Sequence, residues 1–370
     1  MIKELEIFLE NNSTTSQVRK TIDTNNLINK DDYILMMVSG GSDSVAMCYI
    51  LNLLYDKKHL AVFHLNHKLR GSEAKKDENF VYNLSKLLGI NSFFYSKDIL
   101  NISNNKNIEA VSRNIRYKLA QDSLKKWADT HGVTINKFKI ASAHTLNDRI
   151  ENFYMRSICG TGPGGLSGIE FKNRNIIHPL LECRKTDLIE FIKQFSKIDD
   201  KYNLKKVYRD EDRILWKEDV TNSDTNRFRA YVRNKIVPIS KRWNDNFENN
   251  LNNTMKLISQ DSKYLNKQAL YVKENTVKFN YIHNELKSVY INSNIKKYDI
   301  VLIRRVIYSI LKEILPFDAR IESKSINSIL KALSIHNYTD NIQGNFIVHS
   351  NNKGIFIWSA REYRAKRKKI

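Results

Sequence analysis

The run Val38-Ser39-Gly40-Gly41-Ser42-Asp43-Ser44 gathers two adjacent glycines, serine hydroxyls and a carboxylate at a single junction. Paired glycines admit positive φ and a close backbone approach to a ligand. The free amides and positive dipole end of a following helix favour bound phosphate. Ser39, Gly40, Gly41, Ser42, Asp43 and Ser44 therefore read as a nucleotide-phosphate cradle, although an ordinary glycine-rich turn accounts for so short a motif about as well. Farther along, Asp148 and Glu151 stand one helical turn apart, so both carboxylates face one site. Such a pair suits a magnesium ion or an ammonium group; a helix cap by Asn147 or Asp148 is the structural alternative. Glu109, Arg113, Arg116 and Tyr117 share another helical face. That face offers arginines to a nucleotide or RNA phosphate, or else is a surface ion-pair stripe. Between Gly160 and Gly168 lie five of the chain's 12 glycines, a density that no packed helix or strand needs.

The elements that must position these groups follow from the apolar pattern. Strand-length runs at Tyr33–Val38, Leu60–Leu65, Ser92–Tyr95 and Phe138–Ala143 alternate with helical stretches near Ser44–Tyr55, Ser72–Leu88, Ile108–His131 and Asn147–Ile158. This alternation predicts βα units, an α/β fold with a helix-covered parallel sheet. In open sheets of this kind ligands bind beyond the carboxyl ends of strands. The glycine loop, His64 to His67, and His144 all fall at such ends, so three polar clusters converge on one edge. From about Leu215 the pattern changes to long basic helical segments, including Phe247–Tyr264 and Asp299–Leu315. It then returns to short β-like pieces at Asn345–His349 and Gly354–Trp358.

A chain of 370 residues exceeds the ~250–300 at which single cores stop growing, which predicts two or three domains. The formal net charge of +21 favours a polyanionic partner, nucleic acid before a membrane surface. No apolar run approaches the ~20 residues needed to span a bilayer, and the amino terminus has no apolar signal core. The expectation is a soluble, cytoplasmic protein with no membrane partner. Cys48, Cys159 and Cys183 form no Cys-x-x-Cys pair, so neither a disulfide framework nor a zinc or iron–sulfur site is expected. The basic run from Arg361 to Lys369 reads as a solvated terminus that also has the charge to touch phosphates.

The spelling Ser-Gly-Gly-Ser-Asp-Ser lacks the lysine of the Walker type. It resembles the PP-loop of ATP pyrophosphatases, enzymes that split ATP between its α and β phosphates. Four further segments resemble one member of that group, the tRNA(Ile)-lysidine synthases. They are His64-Leu65-Asn66-His67-Lys68-Leu69-Arg70, Asn107 to Tyr117, Ala143 to Asn152, and the stretch from Arg156 through Gly160-Thr161-Gly162 to Ile169. His178-Pro179-Leu180-Leu181 with Arg184 continues the match, as do Trp216, Asp219, Thr221-Asn222, Asp224, Arg229 and Arg233, up to Pro238. The chain departs from the family pattern at Asn147, Arg149, Asn152, Arg227 and Ala230. Asn147 stands where an aspartate is usual, which leaves metal and amine roles at the carboxylates open.

The resemblance implies a parallel-sheet PP-loop ATP pyrophosphatase domain, adenine nucleotide alpha hydrolase-like, over 1–215. A helical linker or tRNA-binding region over 216–295 and a small α+β carboxyl-terminal substrate-binding domain over 296–370 would follow. The implied reaction joins L-lysine to C2 of the wobble cytidine in the CAU anticodon of a minor tRNA(Ile), through an adenylated cytidine, and changes decoding from AUG to AUA. ATP and Mg2+ are expected, with free lysine and the tRNA as partners, and a homodimer is admitted. Asp43, Arg113, His144, Asp148 and Glu151 are the implied catalytic set, with Asp43 and Asp148 the metal candidates. Arg116, Arg184, Arg229, Arg233, Arg304 and Arg305 are the candidates for gripping tRNA. Three alternatives stand beside this reading. A tRNA thiolase of the same group would need a cysteine arrangement that is missing here, and a small-molecule synthetase leaves the charge unexplained. An inactive RNA-binding relative would follow if Asn147 and Arg149 had cost the site its activity.

Overall fold

Side-chain alternation along the central strands explains why this sheet is buried on both faces. Ile34, Met36 and Val62 enter one apolar cluster with Val45, Tyr49 and Ile50 of helix Ser42–Leu54 and with Phe191 and Phe195. Leu35, Met37, Ala61, Phe63 and Ile140 enter the other, against Ala120, Leu124 and Trp127 of helix Ile108–His131. Period-two alternation sends neighbouring side chains to opposite faces, and a parallel sheet covered by helices on both sides needs them apolar throughout.

A computed structural model describes residues 2–68, 71–103, 108–217, 228–283, 285–316 and 319–367. The chain divides into two compact units, Met1–Lys256 and Leu257–Ile370. The first holds six strands: β1 (Tyr33–Met37), β2 (Leu60–Asn66), β3 (Asn91–Ser96), β4 (Phe138–Ser142), β5 (Lys172–Asn173) and β6 (Ile176–Ile177). Their order is β3-β2-β1-β4-β6-β5, parallel except for the β5–β6 hairpin. The order reverses between β1 and β4, and at such a switch point the two loops diverge and open a crevice at the strands' carboxyl ends. The glycine loop leaves β1 there, and His144 follows β4.

The second unit holds β7 (Val277–Ile282), β8 (Glu285–Ile291), β9 (Thr339–Ile342), β10 (Phe346–Asn351) and β11 (Gly354–Ser359), an antiparallel sheet in the order β7-β8-β11-β10-β9. Val289, Ile291, Val348 and Ile357 of this sheet bury against Ile303, Ile307 and Ile310 of helix Ile300–Ile314 and Ile329 of helix Ser323–Ser334. An α+β unit is thus present. The stretch expected to be helical after Leu215 ends instead in the hairpin β7–β8, where Val277, Phe279 and Tyr281 alternate with Lys278 and Asn280. Among the described residues no helix is long and apolar enough to cross a membrane.

Candidate active site at the strand ends of the first unit

The glycine loop is a tightly bonded turn. Gly40 has φ +98°, which a side chain rarely tolerates, and Gly41 caps helix Ser42–Leu54 without a side-chain bond. Ser44 Oγ accepts from the Ser39 amide at 3.1 Å and donates to the Gly41 carbonyl at 2.9 Å, so one hydroxyl closes the loop from both sides. The Lys217 amide donates to the Gly40 carbonyl at 2.8 Å, and the Lys217 ammonium pairs with Asp210. The amides of the helix's first turn have no partner within the helix. The result is a rigid cradle of N–H donors, which fits the phosphates of a nucleotide. Asp43 sits beside it, half-buried. Burial raises its carboxyl above the ordinary range, opposed first by Lys185 and reinforced by the neighbouring charge of Asp148.

Across the switch point, Thr145 and Asp148 form a capping box at the start of helix Leu146–Cys159. One Asp148 oxygen accepts from the Thr145 amide at 2.7 Å, and the other takes Arg229 Nη2 at 2.5 Å. Glu151 is nearly inaccessible. Its oxygens accept Arg229 Nε at 2.7 Å and Arg233 Nε at 2.6 Å, with Arg233 Nη2 at 3.1 Å. Arg229 lies in the helical turn Phe228–Tyr231 and Arg233 in the π turn Val232–Ile236 that follows it. Burial pulls the Arg229 guanidinium down, but Asp148 and Glu151 more than reverse it, and Glu151 does the same for Arg233. The carboxylate pair therefore holds two arginines, and those arginines lie at the same strand-end edge of the sheet as the glycine loop.

His144 and His178 meet edge to face at 4.9 Å between ring centres. Burial drives His144 well below its ordinary value, helped by His178 and by Arg113, Arg116 and Arg229. His178 falls to about 4 through burial, against the pull of its Nδ1 contact with the Glu170 carbonyl at 2.8 Å. Both imidazoles are neutral at physiological pH, in an arginine-rich field. Arg113 stacks over Tyr117 at 5.3 Å and Arg116 approaches the same ring at 5.7 Å. At the end of β2, His64 Nδ1 lies 2.8 Å from the Val38 carbonyl, and His67 lies 3.2 Å from Ser112 Oγ.

Other expected positions have local work. Asn147 Oδ1 accepts the Lys185 amide at 2.9 Å, which brings Lys185 toward Asp43. Arg184 pairs with buried Glu248 at 2.7 Å. In the second unit, Arg305 donates to Asn266 at 2.7 Å and Arg304 to Asn327 at 3.5 Å. Leu69, Arg70, Asn107, Asp219, Thr221, Asn222, Asp224 and Arg227 lie outside the described residues.

Arg149 is a residue whose importance its sequence position does not announce. It is 1% exposed, donates to Asn252 at 2.6 Å and to the Ser167 carbonyl at 3.1 Å, and lies over Phe171 at 5.0 Å. It thereby ties the end of the glycine-rich segment to helix Phe247–Thr276. Gly168, at φ +75°, leaves room for it: a methyl there would lie 2.9 Å from both Arg149 Cγ and Met255 Sδ. The only advance signal for Arg149 was its departure from the family pattern.

Among the described residues no group of three or more metal-ligating side chains is gathered. Magnesium delivered with a nucleotide needs only one or two carboxylates besides the phosphates. Asp43, with Asp148 as its neighbour, fits that requirement.

The chain is 29% identical over 322 residues to the tRNA(Ile)-lysidine synthase of Clostridium acetobutylicum, covering 85% of this chain and 63% of that one. It is 35% identical over 231 residues to that of Thermosipho africanus, covering 61% and 48%. It is 33% identical over 254 residues to that of Caldanaerobacter subterraneus subsp. tengcongensis, covering 67% and 49%. The chain thus spans from about half to 63% of the length of these curated relatives. The family model described as the PP-loop domain matches residues 11–240, the stretch that carries the amide cradle, the histidine pair and the arginine cluster, and the chain belongs to the PP-loop family.

Proposed function

We propose that this chain is a tRNA(Ile)-lysidine synthase: it transfers AMP from ATP to the C2 oxygen of the wobble cytidine in a CAU anticodon and then replaces the adenylate with lysine. One observation carries the reading. An amide cradle with Asp43, a neutral histidine and a fixed arginine pair converge on the switch point of one sheet.

In the first step the cytosine O2 attacks the α-phosphorus and pyrophosphate leaves. The amides at Ser42 to Ser44 are positioned to meet the developing charge on the leaving group without rearranging. Magnesium, held by Asp43, would neutralise part of that charge. Arg229 and Arg233 are pre-oriented by Glu151 and Asp148, so these cations need no ordering when an anion arrives. In the second step the lysine side-chain nitrogen attacks C2 and AMP departs with the oxygen. The amine attacks in its neutral form, and once the new C–N bond has made that nitrogen far more acidic, the neutral imidazole of His144 is able to take its surplus proton. Arg113, exposed above Tyr117, is assigned to the α-phosphate of the adenylate. Asp148 and Asp43 are the carboxylates assigned to attract the incoming ammonium, while Glu151 acts through the arginines it holds. The excess positive charge of the chain suits an RNA substrate.

The test is incorporation of labelled lysine into purified tRNA with a CAU anticodon. Incorporation should require ATP, release AMP and pyrophosphate, and disappear in Asp43→Ala. Incorporation without ATP, or none by the wild-type chain, would sink the proposal.

A further inference from the structure

Helix-forming residues Phe228 to Trp243 include Arg229, Arg233, Lys235, Lys241 and Arg242 and no acidic residue. The first two are committed to Asp148 and Glu151. At the far end of the run, Ile239 is 57% exposed and Trp243 88% exposed. Ile239, Arg242 and Trp243 fall at positions i, i+3 and i+4 of helix Val237–Trp243, so they share a face. Together they line an open pocket of about 410 Å³. Lys241 and Arg242 are favoured at a helix C-terminus by the dipole, which accounts for charge but not for an indole left in water. Single exposed aliphatic side chains are ordinary. A tryptophan this exposed beside an isoleucine and an arginine, on a run of one charge sign, is different: its ring face and the adjoining cation complement a nucleobase and its phosphate.

We propose that Trp243, backed by Ile239 and Arg242, is a stacking platform for an unpaired base of the RNA substrate. The proposal rests on the reading above and adds where the strand runs. The ten steps from Arg233 to Trp243 span roughly 15 Å at the helical rise. That distance is on the order of a few nucleotides of looped strand, so a base neighbouring the one at the catalytic edge is within reach of the indole. Because every base has a π face, the contact tolerates sequence. It secures the loop and leaves discrimination among bases to other groups.

The experiment measures binding of the full chain to two fluorescent RNAs by anisotropy: a stem-loop with CAU in its loop, and a blunt duplex of the stem alone. Trp243→Ala should weaken stem-loop binding by roughly tenfold or more, and Trp243→Phe should retain most of the affinity. Duplex binding should be unchanged in both. The salt dependence of stem-loop binding should keep its slope in Trp243→Ala, and fall by about 0.7 in Arg242→Ala, the value for one phosphate contact on a single strand. Wild-type affinity for the stem-loop in Trp243→Ala, or equal losses on stem-loop and duplex, overturns the platform. So does sedimentation that shows a dimer which Trp243→Ala dissolves, since the patch is then a contact between copies. If the wild-type chain binds neither RNA, the RNA substrate itself fails and the platform with it. If it binds the stem-loop and Trp243→Ala changes nothing, only the platform fails.

Discussion

Replacing Glu151 with glutamine isolates the question of what the buried carboxylate is for. The side chain is 3% exposed and its two oxygens receive Arg229 and Arg233, whose side chains are 40% and 35% exposed. Breaking a buried ion pair on one side typically costs 3–5 kcal/mol, because a charge is left uncompensated. Here the groups that lose Glu151 are the arginines; Arg229 keeps Asp148 and water reaches more than a third of each, so the cost falls to about 2–3 kcal/mol. At roughly 2–4 °C per kcal/mol for a unit of this size, Glu151→Gln should lower Tm by about 4–12 °C. Calorimetry on the full chain measures it, and the double variant Glu151→Gln/Arg233→Gln should recover part of the loss, since one of the two cations that faced Glu151 has gone. Catalysis should fall with the arginines' orientation, at a KM for lysine close to wild type. A variant with unchanged Tm and a sharply raised KM for lysine would refute the argument: the carboxylate would then serve the substrate amine directly.

Three other outcomes follow from the same geometry. Asp43 is raised by burial, so its ionised form is costlier in the fold than in the unfolded chain, and this penalty acts at every pH above the ordinary carboxylate range. Asp43→Asn should therefore raise the denaturation midpoint at neutral pH while abolishing ATP-dependent lysine incorporation; a midpoint below wild type would remove the burial argument. The depressed histidines have the opposite pH sense to a paired histidine: the unfolded state binds more protons below 6.5, so their contribution is intact above pH 7 and declines as pH falls, for His178 toward about 4. His178 alone accounts for about 3 kcal/mol across that window at 1.36 kcal/mol per unit, and His178→Asn should flatten the acid limb of a Tm-versus-pH curve. Gly168→Ala should cost at least about 2 kcal/mol, from a positive φ and contacts at 2.9 Å with Arg149 and Met255; a Tm equal to wild type would remove the packing argument for that glycine.

The parallel sheet was legible because its strands are apolar on both faces, and each of the four expected runs matches a strand to within a residue or two. Helix Ser72–Leu88 is plain from its periodicity, and helix Ile108–His131 spans its expected stretch although its apolar residues are spread round the axis. The β5–β6 hairpin was not, since two-residue strands leave no period to read. The hairpin β7–β8 was absorbed into a helical reading because it directly follows helix Phe247–Thr276 in a lysine- and asparagine-rich stretch. At the site, residue types pointed to the right edge of the sheet, but pairing did not follow from them. Glu151 and Arg229 are 78 positions apart, and nothing local says that they touch. The roles of Lys217 and Arg149 are hidden for the same reason: one acts through its backbone amide on Gly40, the other through near-complete burial.

The π turn at Val232–Ile236 sets the rotational phase of everything beyond it. A π turn amounts to one residue inserted into an α-helix, and each residue of an α-helix advances the face by about 100°. Deleting one residue within 232–236 other than Arg233 would let an unbroken α-helix form with Ile239, Arg242 and Trp243 facing much as they do now relative to Arg229, because the turn already absorbs that residue. Deleting one residue from the regular helix Val237–Trp243 has no such slack and would swing what lies beyond it by about 100°. The irregular turn thus works as a spare link in the rod: within it a deletion should be far better tolerated than one turn farther along, even at fully exposed positions.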